Sequence, residues 1–238
     1  MARILVGLAA LTGDIRKVVD RFDLVEVRKS AGAWPREATL RRWRKDAKPA
    51  FVFAVVIPPE VATLADDVEA KESLAETLRV AAALEARVIL LQTPADVRPT
   101  TANKKRIAAF FEKIPAEGTV RCWEPAGVWE PADVIATARA AKVLPVLDAA
   151  QEELPPGPIV FTRLRALGKA AASPRTIARL TSAVRGRREA FVVVEDPKEA
   201  AAVRAALPSS VAKVRSASSG PIIVRPSVAP LVAEDEEQ

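Results

Sequence analysis

The fold is decided by a strand-helix-strand unit at residues 50–93. The stretch AFVFAVVI (50–57) is a continuous apolar run that ends at two prolines, and RVILLQT (87–93) is a second such run. The segment between them carries apolar residues at the spacing of one helix face, namely Leu74, Leu78, Ala81 and Leu84. Continuous apolar runs of this length are typical of parallel strands that are buried on both faces. The unit therefore predicts a parallel sheet covered by helices.

The same alternation continues in both directions along the chain. Further apolar runs lie at 3–8, 23–28, 119–123, 142–147, 158–164 and 190–195. Segments with helical spacing follow most of these runs, and eight strands with about seven helices are predicted. At this count and length the alternation favours an α/β fold of the (β/α)₈ TIM type over an open sheet. One crossover, AAQEELPPGP at 149–158, is too short and proline-rich for a full helix, so it is predicted to be irregular.

Three helix starts are marked by local sequence signals. Pro35 is predicted to open a helix, since proline fits the first helical turn. Ser173 is predicted to cap the helix that Pro174 begins. Asp196 with Glu199 resembles a capping box at the start of the last helix.

The chain is divided into two regions. Residues 1–207 are assigned to the barrel, and residues 208–238 to a proline-rich C-terminal extension whose acidic end is expected to be disordered. The opening residues, MARILVGLAALTGDIRK, are interpreted as a first strand rather than a signal peptide. No stretch reaches the ~18 uninterrupted apolar residues of a membrane span. We therefore expect no membrane association.

The composition excludes several kinds of site. The 238 residues include no His, no Tyr and one Cys. Histidine-ligated metals, histidine general bases, Ser-His-Asp and Cys-His nucleophiles and cysteine-cluster zinc sites are therefore ruled out. A single cysteine forms no intramolecular disulfide, which favours a cytoplasmic location. That residue, Cys122, lies in an apolar run and is predicted to be an inert buried thiol.

The charge distribution does not favour nucleic acid as a partner. The formal net charge is +6, although Glu234, Asp235, Glu236 and Glu237 form an acidic end. Basic runs at 41–45, 104–106 and 185–188 lie on three separate segments, and only Trp43 interleaves with them. A nucleic-acid surface needs a contiguous basic stripe with stacking rings. Solvated helix faces are therefore the better interpretation.

Polar side chains at the carboxyl ends of the strands are the candidate site. In TIM barrels function is built at these ends. Glu26, Glu124 and Asp148 are predicted to converge there as catalytic carboxylates, with Gln92 as a polar pocket residue. Carboxylates with an amide could also hold Mg²⁺ or Mn²⁺. The alternative is that these groups pair with nearby arginines or face water, and we predict neither a metal nor a cofactor.

The segment TRLRALGK (162–169) points to anion binding. Arg163 and Arg165 leave one strand on the same face, because strand side chains repeat every second residue. Guanidinium groups bind phosphate or carboxylate in a bidentate manner, and Gly168 would let the backbone approach an anion. Arg28 would join them in holding a small anionic ligand. The competing interpretation is that the strand arginines pair with Glu124, Asp148 or Glu195.

Several motifs, in order and spacing, resemble those of the YecE-like family, also known as domain of unknown function 72. The resemblance covers roughly residues 3–207. It is carried by residues 22–27, 51–55, 89–94, 161–165 and 191–207, together with Pro35, Thr39, Trp43, Pro58, Glu124, Trp129 and Asp148. It implies a TIM-type barrel, and no biochemical activity is established for the family.

Most of the pocket residues implied by that resemblance are replaced in this chain. Arg28 stands where the family commonly has Asn, and Val56 stands in place of a strand-three Lys. The family's first turn, a Thr-Phe-Tyr motif, three histidine-containing motifs and a late Asn pair are also missing. The residues that match are Glu26, Gln92, Glu124, Asp148 and Arg163.

Three hypotheses follow from these residues. The first is a divergent barrel without the inherited catalytic site, acting as a binding or interaction protein. The second is an enzyme that acts on a phosphorylated or carboxylated small molecule through a carboxylate-arginine site. The third, weaker hypothesis is non-specific nucleic-acid binding. The sequence decides neither between enzyme and binding protein nor the oligomeric state.

Overall fold

The structure is a computed structural model that describes residues 3–11, 13–30, 32–165 and 172–207. Strands and helices alternate along this part of the chain. The strands are β1 (Arg3–Leu8), β2 (Leu24–Val27), β3 (Val52–Val56), β4 (Val88–Thr93), β5 (Val120–Pro125), β6 (Leu144–Leu147), β7 (Ile159–Leu164) and β8 (Glu189–Val194). The helices are α1 (Ile15–Arg21), α2 (Glu37–Asp46), α3 (Pro59–Ala62), α4 (Val68–Ala83), α5 (Thr101–Glu112), α6 (Pro131–Ala140), α7 (Pro174–Val184) and α8 (Pro197–Ala206).

The eight strands form a closed parallel barrel in sequence order. Closure is made by β1 and β8, which pair from Arg3↔Glu189 to Leu8↔Val194. The predicted (β/α)₈ barrel of TIM type is therefore confirmed. The predicted extension at 208–238 and Gly168 lie outside the described residues.

The barrel interior is packed with side chains rather than open. Strand residues alternate between the interior and the helix layer, as the two-residue period of a strand requires. The interior core contains Leu5, Leu24, Val52, Ala54, Val56, Val88, Leu90, Cys122, Val146, Phe161, Phe191 and Val193. A larger apolar cluster fills the space between the strands and the helices. The only space left for polar groups in the barrel interior is therefore near its two ends.

The helices begin at the predicted residues in some cases and not in others. Ser173 accepts a hydrogen bond from the Thr176 N–H and Pro174 begins α7, as predicted. Pro35 does not occupy the first helical position, since α2 begins at Glu37. The capping box predicted at α8 forms in part: Asp196 Oδ1 accepts from the Lys198 and Glu199 N–H groups at 2.8 Å and 2.9 Å, whereas the Glu199 carboxylate accepts from the Ala172 N–H at 3.1 Å.

The crossover between β6 and β7 contains no helix over residues 148–158, as predicted from its prolines. One short helix, α3, was not predicted, since two prolines were expected only to end the strand before it. Within the described ranges, no helix has the length and apolar character needed to cross a membrane.

Candidate functional site

The candidate site lies at the carboxyl end of the barrel, where the inward-facing positions turn from apolar to polar. Glu26 follows Leu24 by two residues on β2, and Glu124 follows Cys122 on β5. Arg163 follows Phe161 on β7 by the same spacing. The two-residue period of a strand therefore places these polar groups directly above the apolar interior core.

Arg163 is the centre of the site. Its Nη2 donates to Glu26 Oε1 at 2.6 Å, and its Nε lies 2.9 Å and 3.0 Å from the two Glu124 oxygens. The three residues are buried, with relative exposures of 0% for Glu26, 4% for Glu124 and 3% for Arg163. One guanidinium group thus joins carboxylates from opposite sides of the barrel.

Arg28, Gln92 and Arg165 lie around this centre and donate hydrogen bonds to its two carboxylates or to each other. Arg28 donates to Glu26 Oε2 and to Gln92 Oε1, both at 2.6 Å, and to the carbonyl oxygen of Ala9 at 3.0 Å. Gln92 Nε2 in turn donates to Glu124 Oε2 at 2.6 Å. Arg165 Nη2 donates to Glu124 Oε1. Every oxygen of the two carboxylates therefore accepts from at least one donor.

The electrostatics follow from burial and from these contacts. Burial raises the pKa of Glu26 above its ordinary value, although the charges of Arg163 and Arg28 oppose that rise. Burial also acts on Glu124, but the Arg163 charge and the hydrogen bonds from Arg165 and Gln92 outweigh it and lower its pKa. The pKa of Arg163 is raised because the attraction of both carboxylates outweighs its desolvation. The central arginine therefore stays charged.

Asp148 accepts hydrogen bonds from donors other than those of the two glutamates. Its carboxylate accepts from the Ala150 N–H at 2.8 Å, from Gln151 Nε2 at 2.9 Å and from the Arg165 N–H at 3.0 Å. These bonds hold its own loop against the end of β7. Because they are made mostly to the main chain, Asp148 acts as a loop cap, and Arg165 links it to Glu124, since the Arg165 N–H donates to Asp148 and the Arg165 side chain to Glu124.

The outer surface of the site is formed by two half-exposed arginines. The side chains of Arg28 and Arg165 are 38% and 48% exposed, whereas those of the two glutamates are almost fully covered. Three guanidinium groups, Arg28, Arg163 and Arg165, face two carboxylates. The network thus carries one excess positive charge, and its exposed groups are hydrogen-bond donors.

The described residues contain no group of three or more His, Cys, Asp or Glu side chains that could hold a metal ion. The carboxylates that could serve a hard cation, Glu26 and Glu124, already accept from guanidinium groups. A cation at this point would have to compete with Arg163, which is itself buried between them. The donor set present therefore does not fit Mg²⁺ or Mn²⁺.

A second buried charge cluster, at the opposite end of the barrel, was missed by sequence reasoning. Glu189 is 3% exposed and accepts from Arg87 at 2.7 Å and 2.5 Å and from Arg3 at 3.1 Å. The signal for it was a carboxylate directly before the apolar run of β8. A carboxylate at a strand start does not point to function, because function in TIM barrels lies at the carboxyl ends.

The two tryptophans near the site pack against each other. Trp123 and Trp129 meet edge to face, with ring centroids 4.8 Å apart. Trp123 Nε1 donates to Thr93 Oγ1 at 3.1 Å, and Trp129 Nε1 donates to the Val97 carbonyl oxygen at 2.7 Å. Both indole N–H groups are therefore satisfied within the protein.

Comparison with known proteins identifies the family. The family model described as "Protein of unknown function DUF72" matches residues 9–215. The chain belongs to this family. YecE-like is another name for it, so the resemblance of the motifs is confirmed. Among curated proteins, none matches the DUF72 chain by sequence.

Solved structures share the barrel. A DUF72 family protein from Enterococcus faecalis V583 is 17% identical, with a TM-score of 0.62 over 87% of this chain and 96% of that one. A DUF72 family protein from Thermotoga maritima MSB8 is 14% identical, with a TM-score of 0.59 over 84% and 96%. A xylose isomerase domain containing protein from Salmonella typhimurium LT2 is 12% identical, with a TM-score of 0.58 over 84% and 90%. At these identities the likeness shows the fold alone.

Proposed function

We propose that this DUF72 barrel is a non-catalytic binding protein that holds a small carboxylated or phosphorylated molecule at the barrel mouth. The observation that carries the proposal is the saturation of both buried carboxylates by guanidinium and amide donors. Arg28 and Arg165 are the groups that remain accessible to a ligand.

The lack of a free carboxylate supports binding over acid-base catalysis. A general base must come within about 2.6–3.2 Å of the proton that it removes. Glu26 has no exposed surface, and each of its oxygens accepts from an arginine at 2.6 Å. A substrate would have to break these ion pairs before either glutamate could act, which is costly for buried charges.

The exposed donors support an anionic ligand. Arginine presents a planar fork of N–H groups that matches carboxylate and phosphate oxygens. The carboxylates below hold the inner edge of each outer guanidinium, at 2.6 Å for Arg28, and this contact orients the rest of the group. An anion at the mouth would also neutralise the excess positive charge of the network.

The experiment is calorimetric titration of the full-length protein with inorganic phosphate and, separately, with malonate. Binding of either probe at millimolar concentration or tighter is expected, with at least tenfold weaker binding in the Arg165→Gln variant. Arg188→Gln is the matched control, because Arg188 is exposed and precedes β8 at the opposite end of the barrel. Absence of binding, or equal binding by both variants, would overturn the proposal.

A turnover assay separates this proposal from the enzymatic alternative. Wild-type protein and the Glu124→Gln variant are tested against a panel of phosphate monoesters and carboxylate esters. The wild-type protein is expected to show no more turnover than the Glu124→Gln variant. Turnover that disappears in the variant would show that Glu124 is catalytic and would replace the binding proposal with the enzymatic one.

A further inference from the structure

A groove opens in the barrel wall at the amino-terminal ends of β5, β6 and β7, where the β6–β7 crossover lacks a helix. Pairing between β5 and β6 begins only at Cys122↔Leu144, and pairing between β6 and β7 begins only at Val146↔Phe161. The first residues of β5 and β7 therefore have no β6 partner. Because residues 148–158 form no helix, the wall is left without the covering layer that the other crossovers supply.

The groove has a volume of about 530 Å³ and mainly apolar walls. Val120, Leu144, Pro145 and Ile159 line it and are only partly buried, although they belong to strands. Ile135 of α6 forms one side. Strand residues that are half-exposed along an apolar groove are typical of a surface that receives another segment.

Among the described residues, three cations and no carboxylate line this groove. They are Arg121, Arg139 and Lys142. Arg121 donates to the carbonyl oxygens of Phe111 at 2.9 Å and Lys142 at 3.1 Å. Within the described ranges none of the three forms an ion pair. An apolar groove with unpaired positive charge fits a segment that combines apolar and acidic residues.

The end of this chain has that pattern. Residues 229–233 read Ala-Pro-Leu-Val-Ala, and Glu234, Asp235, Glu236 and Glu237 follow directly. We propose that residues 229–237 dock into the groove, with the apolar residues against β5, β6 and β7 and the acidic residues beside the three cations. The tail would thus take the place of the missing helix, and it is independent of the anion site at the barrel mouth.

The chain is long enough to reach the groove from where α8 ends. Arg204, in the last turn of α8, bonds to Asp23 just before β2, so the helix ends at the amino-terminal end of the barrel. The groove opens at that same end, beside the first residues of β5, β6 and β7. It lies two strands away from β8, which is roughly 16–20 Å around the helix layer at 8–10 Å per helix. Residues 208–233 have a coil dimension of about 28 Å and a maximum span of about 86 Å.

The test is disulfide trapping in the full-length chain. Ala116 lines the groove and is exposed, so the Ala116→Cys/Ala233→Cys variant places one thiol in the groove and one in the tail. Ala82→Cys/Ala233→Cys is the matched control, because Ala82 is an exposed alanine near the end of α4, at the same end of the barrel but outside the groove. The native Cys122 is buried and does not compete.

In a glutathione buffer the groove variant is expected to form an intramolecular disulfide at least tenfold faster than the control. Replacing the four acidic residues by lysine is expected to slow that reaction at least threefold. Equal rates in the groove and control variants would overturn the proposal. Disulfide-linked dimers without the intramolecular product would also overturn it, since they would show that the groove receives the tail of a second copy.

Discussion

At the scale of single residues, Arg163 neutralises charge on two buried carboxylates, because it forms ion pairs with both Glu26 and Glu124. Its removal leaves Glu26 paired with Arg28 and Glu124 paired with Arg165, and both of these arginines are half-exposed. Removing the buried partner of a buried ion pair is strongly destabilising, because each remaining carboxylate loses attraction that offsets its desolvation.

The Arg163→Ala variant is therefore expected to lose about 3–5 kcal/mol of unfolding free energy. Urea denaturation at pH 7 measures this change. The matched control is Arg41→Ala, whose exposed i,i+4 pair with Glu37 is worth roughly 1 kcal/mol or less. Similar losses in the two variants would show that the Arg163 network is not buried as described.

The two glutamates give opposite dependences of stability on pH. The pKa of Glu124 is lowered in the folded protein, so its contribution is present above its ordinary value of 4.5 and is lost as pH falls below it. The pKa of Glu26 is raised, so its protonated form is favoured by folding, and stability is lost as pH rises above 4.5.

Comparison of two variants tests these signs. The stability difference between wild type and Glu124→Gln should shrink as pH falls from about 6 to 3, whereas the difference between wild type and Glu26→Gln should not shrink over that range. Denaturation series at several pH values measure both differences. Parallel pH dependences for the two variants would contradict the assignment.

The buried thiol of Cys122 is expected to be unreactive in the folded protein. Burial, followed by the charges of Glu26 and Glu124, raises the pKa of its thiol well above the ordinary value. The thiol should therefore remain unmodified by a thiol reagent at pH 8 in the folded protein and react fully after denaturation. Rapid reaction of the native protein would show that the barrel interior opens to solvent.

The individual side chains of the site were predicted from the sequence, but their pairing was not. Strand periodicity placed Glu26, Gln92, Glu124 and Arg163 at one end of the barrel. It gave no information on which carboxylate each guanidinium meets, because that depends on barrel diameter and strand stagger. Asp148 occupies a comparable strand end, yet its carboxylate accepts from the main-chain N–H groups of Ala150 and Arg165.

At the scale of elements, the pairing of β1 with β2 requires glycine at position 7, because the main chain of β2 lies too close for a side chain. Gly7 faces Leu24 across the β1–β2 pair. A Cβ atom added at Gly7 would lie 1.9 Å from the Leu24 carbonyl oxygen. The neighbouring atom belongs to the main chain, so a rotamer change does not relieve the clash.

The Gly7→Ala variant is therefore expected to lose about 3 kcal/mol or more of unfolding free energy, at or above the upper end of overpacking effects. Gly118→Ala is the control, since its φ of +69° is unfavourable for alanine but no atom lies within 4 Å of the added Cβ. That change should cost only about 1 kcal/mol. Thermal denaturation of both variants measures the difference, and a Gly7→Ala protein as stable as the control would contradict the close approach.

The elements were predicted well where one local signal dominates. Continuous apolar runs identified every strand, and the Ser173-Pro174 pair identified the start of α7. The start of α2 was misplaced because proline is also favourable just before a helix cap. The single turn of α3 is too short to give a periodic signal.

At the scale of the whole molecule, the barrel is specified by patterns and the function is not. Eight apolar runs separated by helical segments leave few other topologies, since parallel strands need crossovers and those crossovers are right-handed. DUF72 membership and barrel neighbours agree with this fold. The chemistry of the mouth depends instead on contacts between residues up to 137 positions apart, such as Arg163 with Glu26.

The most direct test of the account is the change in melting temperature of the full-length protein on addition of phosphate. At about ten times the dissociation constant, a bound anion should raise the melting temperature by roughly 3–6 °C. An Arg28→Gln/Arg165→Gln variant should show no rise, whereas Arg188→Gln should respond like wild type. An unchanged melting temperature in wild type, or an equal rise in the double variant, would contradict anion binding at the barrel mouth.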